Sequence, residues 1–175
     1  MTAGRGDPGT DQVAARIVDA ALQLLRSGGP RAVTMQAVSQ TTGIAKTTIY
    51  RRHRDRRALL TSALEHLAQQ PPMDPQSTQA ERLTWVIRQS VDVIANGIGA
   101  GGFAALLTNE DPDFSEVFRE ILVTYREQAL AVLAPDTADG DIVVDMIVGS
   151  YIAQLARTGT VDETWGDRVF TRLND

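Results

Sequence analysis

The chain has 175 residues, 43% of them hydrophobic and 22% charged, which allows real cores and excludes a disordered polymer. Cysteine is absent, which removes disulfides and thiol catalysis, and with two histidines a metal site would have to rely on carboxylates. The net charge of −5 hides an uneven distribution: residues 1–70 carry ten basic and five acidic side chains, residues 71–175 seven basic and seventeen acidic. Positive potential is thus confined to one end, where an acidic protein can still meet a polyanion. Residues 1–9, polar and rich in Gly and Pro, read as a disordered tail and not as a signal peptide. The apolar stretch 142–156 is interrupted by Asp145 and too short for a membrane span, so a cytoplasmic protein is expected.

Thr10 is placed to cap a first helix, with Asp11 at its positive end. Val13, Ile17, Ala20, Ala21 and Leu24 recur at helical spacing as one apolar stripe, and Gly28, Gly29 and Pro30 stop it. Thr34 can cap a short second helix through Met35, Ala37 and Val38. Gly43 interrupts the pattern, and a third helix is predicted from about Ala45 to His53. Asp55 caps a fourth, carrying Leu59, Leu60, Leu64 and Leu67 toward Gln70. Pro71, Pro72 and Pro75 mark a domain boundary. Beyond it, helices are predicted over 79–96 (Leu83, Ile87, Val91 and Ile94 on one face), through Phe103 and Leu107, and over 114–133, 141–157 and 162–173. The glycine-rich run 96–102 reads as a flexible connector. Strand-type alternation is nowhere sustained, so the expected fold is all-α, divided at 1–9, 10–54, 55–70 and 76–175.

The span 34–53 has the pattern of two short helices joined by a tight turn. Gly43 stands where the turn requires a positive φ, Val38, Ile44 and Ile49 can lock the helices at a fixed angle, and Ser39 permits close approach. An ordinary helical hairpin would share that pattern; the chemistry of the third helix separates the two. Lys46, Thr47 and Thr48 open it with short donors and one long cation, a set suited to base edges and nearby phosphates, and Tyr50 presents a hydroxyl one turn on. Arg51, Arg52, Arg54, Arg56 and Arg57 follow against a single acid, Asp55. A solvated face normally mixes its signs, whereas a phosphate backbone accounts for such one-sided charge. Arg56 is expected at a phosphate, Thr47 and Thr48 at base edges. The reading requires these cations to stay free of acids from the same chain.

These residues resemble the tetracycline-repressor (TetR) family of bacterial transcriptional regulators. The resemblance is carried by Arg16-Ile17-Val18-Asp19-Ala20-Ala21, by Val33-Thr34-Met35, and by Thr42-Gly43-Ile44-Ala45-Lys46-Thr47-Thr48-Ile49-Tyr50-Arg51-Arg52, with Arg56 and Leu59-Leu60 continuing it. It covers about residues 10–65. It implies a three-helix helix-turn-helix DNA-binding domain at 10–54, a connecting helix at 55–70, and a helical effector-binding and dimerisation domain at 76–175. It further implies DNA contacts from Thr34, Lys46, Thr47, Thr48, Tyr50, Arg51, Arg52, His53 and Arg56. Three departures matter. Ala45 stands where the family often has a Ser cap, forgoing about 1 kcal/mol. His53 occupies a position commonly Phe or Trp and reads as a partly buried stand-in, with a phosphate contact as the second reading. Ser39 and Thr42 replace the usual Ala, which implies looser packing at the turn.

In residues 142–156, eleven of fifteen are apolar, and a helix apolar nearly all round needs cover on two sides. That cover is either one deep core or a core plus a second subunit. In the family the last two helices form a four-helix interface with their symmetry mates, which makes Ile147, Tyr151, Leu155, Trp165, Val169 and Phe170 the interface candidates. Trp85, Gln89, Phe103, Leu107, Phe118, Leu122, Tyr125, Met146, Ser150 and Gln154 are candidates to line a mostly apolar effector cavity, though each also reads as plain core. The glycine run lacks the basic residue and helix start of a phosphate loop. The acid pairs Glu110-Asp111 and Asp139-Asp141 sit near helix starts, where the macrodipole explains them.

The expected protein is a homodimeric repressor on a palindromic operator, without cofactor, released by a small apolar effector of unknown identity. An activator or effector-independent regulator is the nearer alternative. An all-α enzyme or small-molecule-binding protein is the distant one, since no Ser-His-acid constellation stands out and His53 and His66 are off a metal-ligand spacing.

Overall fold

The computed structural model describes residues 8–69, 71–133 and 139–174; the tail expected at 1–9 lies outside them, save that Pro8 and Gly9 already belong to the first helix. The chain is all-α. In order come α1 (Pro8–Gly28), a 3-10 turn (Pro30–Ala32), α2 (Met35–Thr42), α3 (Lys46–Arg52) and α4 (Arg56–Leu67). Then follow α5 (Gln79–Asp92), a π-helical segment (Val93–Ile98), α6 (Gly99–Thr108), α7 (Pro112–Leu133), α8 (Gly140–Thr158) and α9 (Trp165–Asn174).

Two compact units form. The first joins the chain up to Leu67 with Asn96–Arg119; the second joins Ala68–Ala95 with Glu120 onward. In the first unit α1 packs against α2, α4 and α6. Three neighbours require a wide apolar face, so Ile17, Val18, Ala20, Ala21, Leu22 and Leu25 are all buried while Val13 and Leu24 stay half-buried at its edges. Leu59, Leu60, Ala63 and Leu64 of α4 close this core. Asp55 caps α4 as expected, its Oδ1 accepting the Ala58 N–H at 2.7 Å.

The glycine-rich run 96–102 is not a loose connector but helix. Gly99 needs its residue type for the backbone, since it takes φ +70°, while a Cβ there would make only ordinary contact with the Arg26 backbone at 3.6 Å. Arg26 Nη1 donates to the Asn96 carbonyl at 2.8 Å and fixes the same junction. Residues 96–119 therefore build the first unit, although the proline break near 71 places them in sequence with the C-terminal half. The helical run Gln79–Thr108 is 30 residues long with mean hydropathy 1.4 in its most apolar window, enough by length and composition to cross a membrane. Leu83, Val86, Ile87, Val93, Ile94 and Ile98 are nevertheless buried against protein, as in a core helix.

The second unit is centred on Leu83, Val86, Ile87, Ala129, Leu133, Val144, Ile147 and Trp165. Its first helix begins with a reciprocal cap, Thr78 accepting the Glu81 N–H while the Glu81 carboxylate accepts the Thr78 N–H at 2.8 Å. The last helix starts at Trp165 and not at Asp162. Asp162 folds back on itself instead, its side chain accepting the Thr164 N–H at 3.0 Å and its carbonyl the Trp165 N–H at 3.1 Å.

Candidate nucleic-acid interface

Thr34 begins the motif as the N-cap of α2, its hydroxyl accepting the Ala37 N–H at 3.0 Å. Gly43 ends that helix in the left-handed region at φ 72°, ψ 4°, with its N–H bonded to the Ser39 carbonyl at 2.9 Å. The turn beyond it is pinned by hydroxyls. Ser39 donates to the Ile44 carbonyl at 2.7 Å; Thr42 donates to the Val38 carbonyl at 2.7 Å and accepts the Ile44 N–H at 3.2 Å. Arg16 reaches across to the Thr42 carbonyl at 2.6 Å. The looser packing expected from Ser39 and Thr42 is thus corrected: both hydroxyls are bonded into the turn, and the smaller alanine would leave the Ile44 N–H and carbonyl unheld, at about 1 kcal/mol per bond.

Val38 and Ile49 are wholly buried and Ile44 half-buried, which fixes α3 against α2. Ala45 precedes α3 with no side-chain cap, as its residue type dictates. With Ile49 facing inward, the opposite face presents Lys46, Thr47, Tyr50 and Arg51 to solvent, with Thr48 half-buried beside them. Lys46 donates to the Gln36 side chain of α2 at 3.1 Å, so Gln36 shares the exposed surface. Sequence reading passed over Gln36; its spacing of ten from Lys46 becomes a contact only when the turn angle is known.

The expectation that the arginines stay free of the chain's own acids holds at Arg51 and fails at Arg54, Arg56 and Arg57. Arg51 is exposed and carries no carboxylate partner among the described residues, and Arg52 is half-buried. Arg54 pairs with Asp55 at 3.1 Å, and Arg57 with Glu116 at 2.7 Å. Arg56 does not project as a phosphate ligand. Its guanidinium donates to the Val33 carbonyl at 2.8 Å, to the Pro30 carbonyl at 2.7 Å, and bidentately to Asp111. The position is right for DNA, at the start of α4, but the acidic corner between α6 and α7 claims the charge first. Asp111 also accepts the Phe114 N–H at 3.1 Å, so the helix-start explanation of this acid covers only half of its work. Burial pushes the Asp111 carboxyl up, but its hydrogen bonds to Arg56 and Phe114 and the nearby Arg31 charge outweigh it and hold it below the ordinary value of 3.8.

His53 is 7% exposed and packs inside, in the place of an aromatic; a phosphate contact by this side chain does not fit. Burial, aided by the neighbouring Arg52 charge, lowers its imidazole below the ordinary 6.5 against a raising contact from the Ala58 backbone, so it is neutral at pH 7.

The ten effector candidates are divided between the two units. Phe103, Leu107 and Phe118 belong to the first unit, the other seven to the second. Phe118 is fully buried core stacked on Phe114 at 5.5 Å, while Leu107 is 71% and Met146 52% exposed. Gln154 is engaged with Asp162 at 2.7 Å and Ser150 with the Ile147 carbonyl at 3.0 Å. Trp85 and Gln89 line a surface groove of about 460 Å³ with Met73, Thr84 and Arg88. Leu122 and Tyr125 are half-buried. Of the interface candidates, Ile147 and Trp165 are buried within the second unit, and half-buried Tyr151 meets Trp165 edge-on at 5.3 Å. Leu155, Val169 and Phe170 are half-buried.

A short exposed helix, set by a glycine turn and backed by a buried Ile, in the basic unit of an acidic chain, defines a helix-turn-helix DNA-binding protein. Residues 17–63 match the family model described as bacterial regulatory proteins, tetR family, so this part of the chain is similar to the DNA-binding domain of such transcriptional regulators. A search of curated proteins returned no match.

Proposed function

We propose that this protein is a cytoplasmic homodimeric repressor, not an enzyme, that binds a palindromic operator and leaves it when a small apolar molecule binds the C-terminal domain. The observation that carries the DNA half is the α3 face of Lys46, Thr47, Tyr50 and Arg51, exposed while Ile49 behind it is wholly buried. Thr47 and Tyr50 offer groups for base edges; Arg51 and Lys46 offer charge for phosphates, with Thr34 at the start of α2 and Thr48 beside it.

Dimerisation is supported by α8. Ile142 and Met146 are each 52% exposed, and Gly149 and Ala153 follow on the same exposed face. Apolar and small residues at helical spacing on an outer face suit helix-to-helix packing against a second copy. This stripe replaces Ile147 and Trp165 as the centre of the proposed interface, with Val169 and Phe170 at its margin.

Selection of duplexes from a randomised pool by the wild-type protein tests the reading. It should enrich an inverted repeat whose half-sites lie about 34 Å or somewhat more apart. Enrichment of no sequence contradicts it. For the effector half, a compound that binds the C-terminal domain should weaken DNA binding in proportion to its preference for the released state. A bound compound that leaves DNA affinity unchanged removes that half alone.

A further inference from the structure

We infer that Arg56 and Asp111 act as a positioning pair that holds the DNA-reading helices in register, and that Arg56 is not itself a DNA ligand. The inference rests on the DNA-binding reading above and goes beyond it.

One guanidinium joins three pieces of chain. Its Nε–H and one Nη2–H end on the Val33 and Pro30 carbonyls, at either end of the 3-10 turn that delivers Thr34 to cap α2. The remaining bonds go to Asp111, which caps α7 through Phe114. Arg56 is itself the first residue of α4, directly after α3 and its three-residue exit. The entry to α2 and the exit from α3 are therefore tied to one planar fork, and the fork is held by an acid that is 7% exposed. Arg31 with Glu110 at 3.2 Å and Arg57 with Glu116 at 2.7 Å flank the pair on the surface.

The buried and exposed members differ in consequence. A flanking pair in water contributes little. Asp111 without Arg56 leaves a desolvated charge and frees the two turn carbonyls, whereas Arg56 without Asp111 keeps its donors but loses the carboxylate that holds the fork against those carbonyls. Lysine cannot substitute, since it lacks the fork that reaches two carbonyls and a carboxylate at once.

The two roles for Arg56 predict opposite signs for one substitution. If Arg56 served DNA, Asp111→Asn would release it toward phosphate and remove a repelling acid, so affinity would rise. As a positioning pair, Asp111→Asn must lower it. The test is fluorescence anisotropy on a duplex recovered from the randomised pool, at several salt concentrations, for wild type, Asp111→Asn and Arg56→Lys. Each variant's fold is checked by circular dichroism, and hydrogen exchange is followed over residues 34–52. The expected result is at least a tenfold loss of affinity in both variants, an unchanged salt slope, and faster exchange over 34–52. Equal or tighter binding by Asp111→Asn overturns the proposal, as does unaltered exchange over residues 34–52 in either variant. Should Asp111→Asn not fold, Arg56→Lys, which keeps the charge, decides alone. The exchange arm needs no DNA, so wild type that selects no duplex defeats the DNA reading while the pair is still judged.

Discussion

In the first compact unit polar groups reach across long stretches of chain: Arg16 to Thr42, Arg26 to Asn96, Arg56 to Pro30, Val33 and Asp111. In the second they stay local and exposed, as in Arg126 with Asp145 or Asp162 with Gln154 and Arg168, while apolar side chains such as Ile142 and Met146 are left outside. The contrast follows from what each must present. A reading head has to hold a small polar surface at a fixed angle, which directional hydrogen bonds do well. The proposed dimerisation of the second unit would give its outer apolar face a partner to cover it.

The largest effects should come from the two cores. Phe114→Ala in the first unit and Trp165→Ala in the second should each cost about 3–5 kcal/mol in chemical denaturation. Both tryptophans, Trp85 and Trp165, lie in the second unit, so their fluorescence reports that unit while circular dichroism reports both. Losses under 1 kcal/mol would mean that these cores are not what holds the units together.

Next in size is the outer face of α8. Met146→Arg places a like charge opposite itself in the proposed two-fold interface and should raise the dimer dissociation constant about tenfold or more, roughly 1.4 kcal/mol. Thermal stability measured at concentrations where the protein is monomeric should hardly change, because Met146 is 52% exposed. Sedimentation that shows the dimer intact would break the comparison at its second half.

Smaller still are the polar pins of the reading head. Ser39→Ala should lower the stability of the first unit by about 1 kcal/mol. Ala45→Ser should raise it by roughly 0.5–1 kcal/mol by supplying the missing cap of α3. Acid should act through Asp111. Its carboxyl lies below the ordinary 3.8 when folded. The stabilisation is then complete above that value and is lost as pH falls through the lower folded value. Asp111→Asn should flatten this part of the acid limb in a pH series of thermal melts.

Much of the reading head was legible in the residues. Gly43, the buried Val38 and Ile49, and the Thr34 and Asp55 caps follow from local rules on turns, periodicity and helix ends. What stayed hidden was partner choice. A run of arginines states its charge but not which acid it meets, and Asp111 and Glu116 come more than fifty residues after Arg56 and Arg57. The glycine run 96–102 misled because glycine marks loops and also serves where a helix needs a positive φ, as at Gly99. On α8 the residue pattern leaves the phase open, and the structure buries Ile147 while exposing Met146. Period alone cannot say whether Ile147 or Met146 faces inward when nearly every position is apolar.

The central claim is that the outer face of α3 reads DNA, and salt-titrated anisotropy on the selected duplex and a scrambled one tests it most directly. Thr47→Ala should erode the preference between the two duplexes about tenfold while keeping the salt slope, and Arg51→Ala should weaken both and lower the slope by about one. Two variants indistinguishable from wild type on both duplexes would contradict the account.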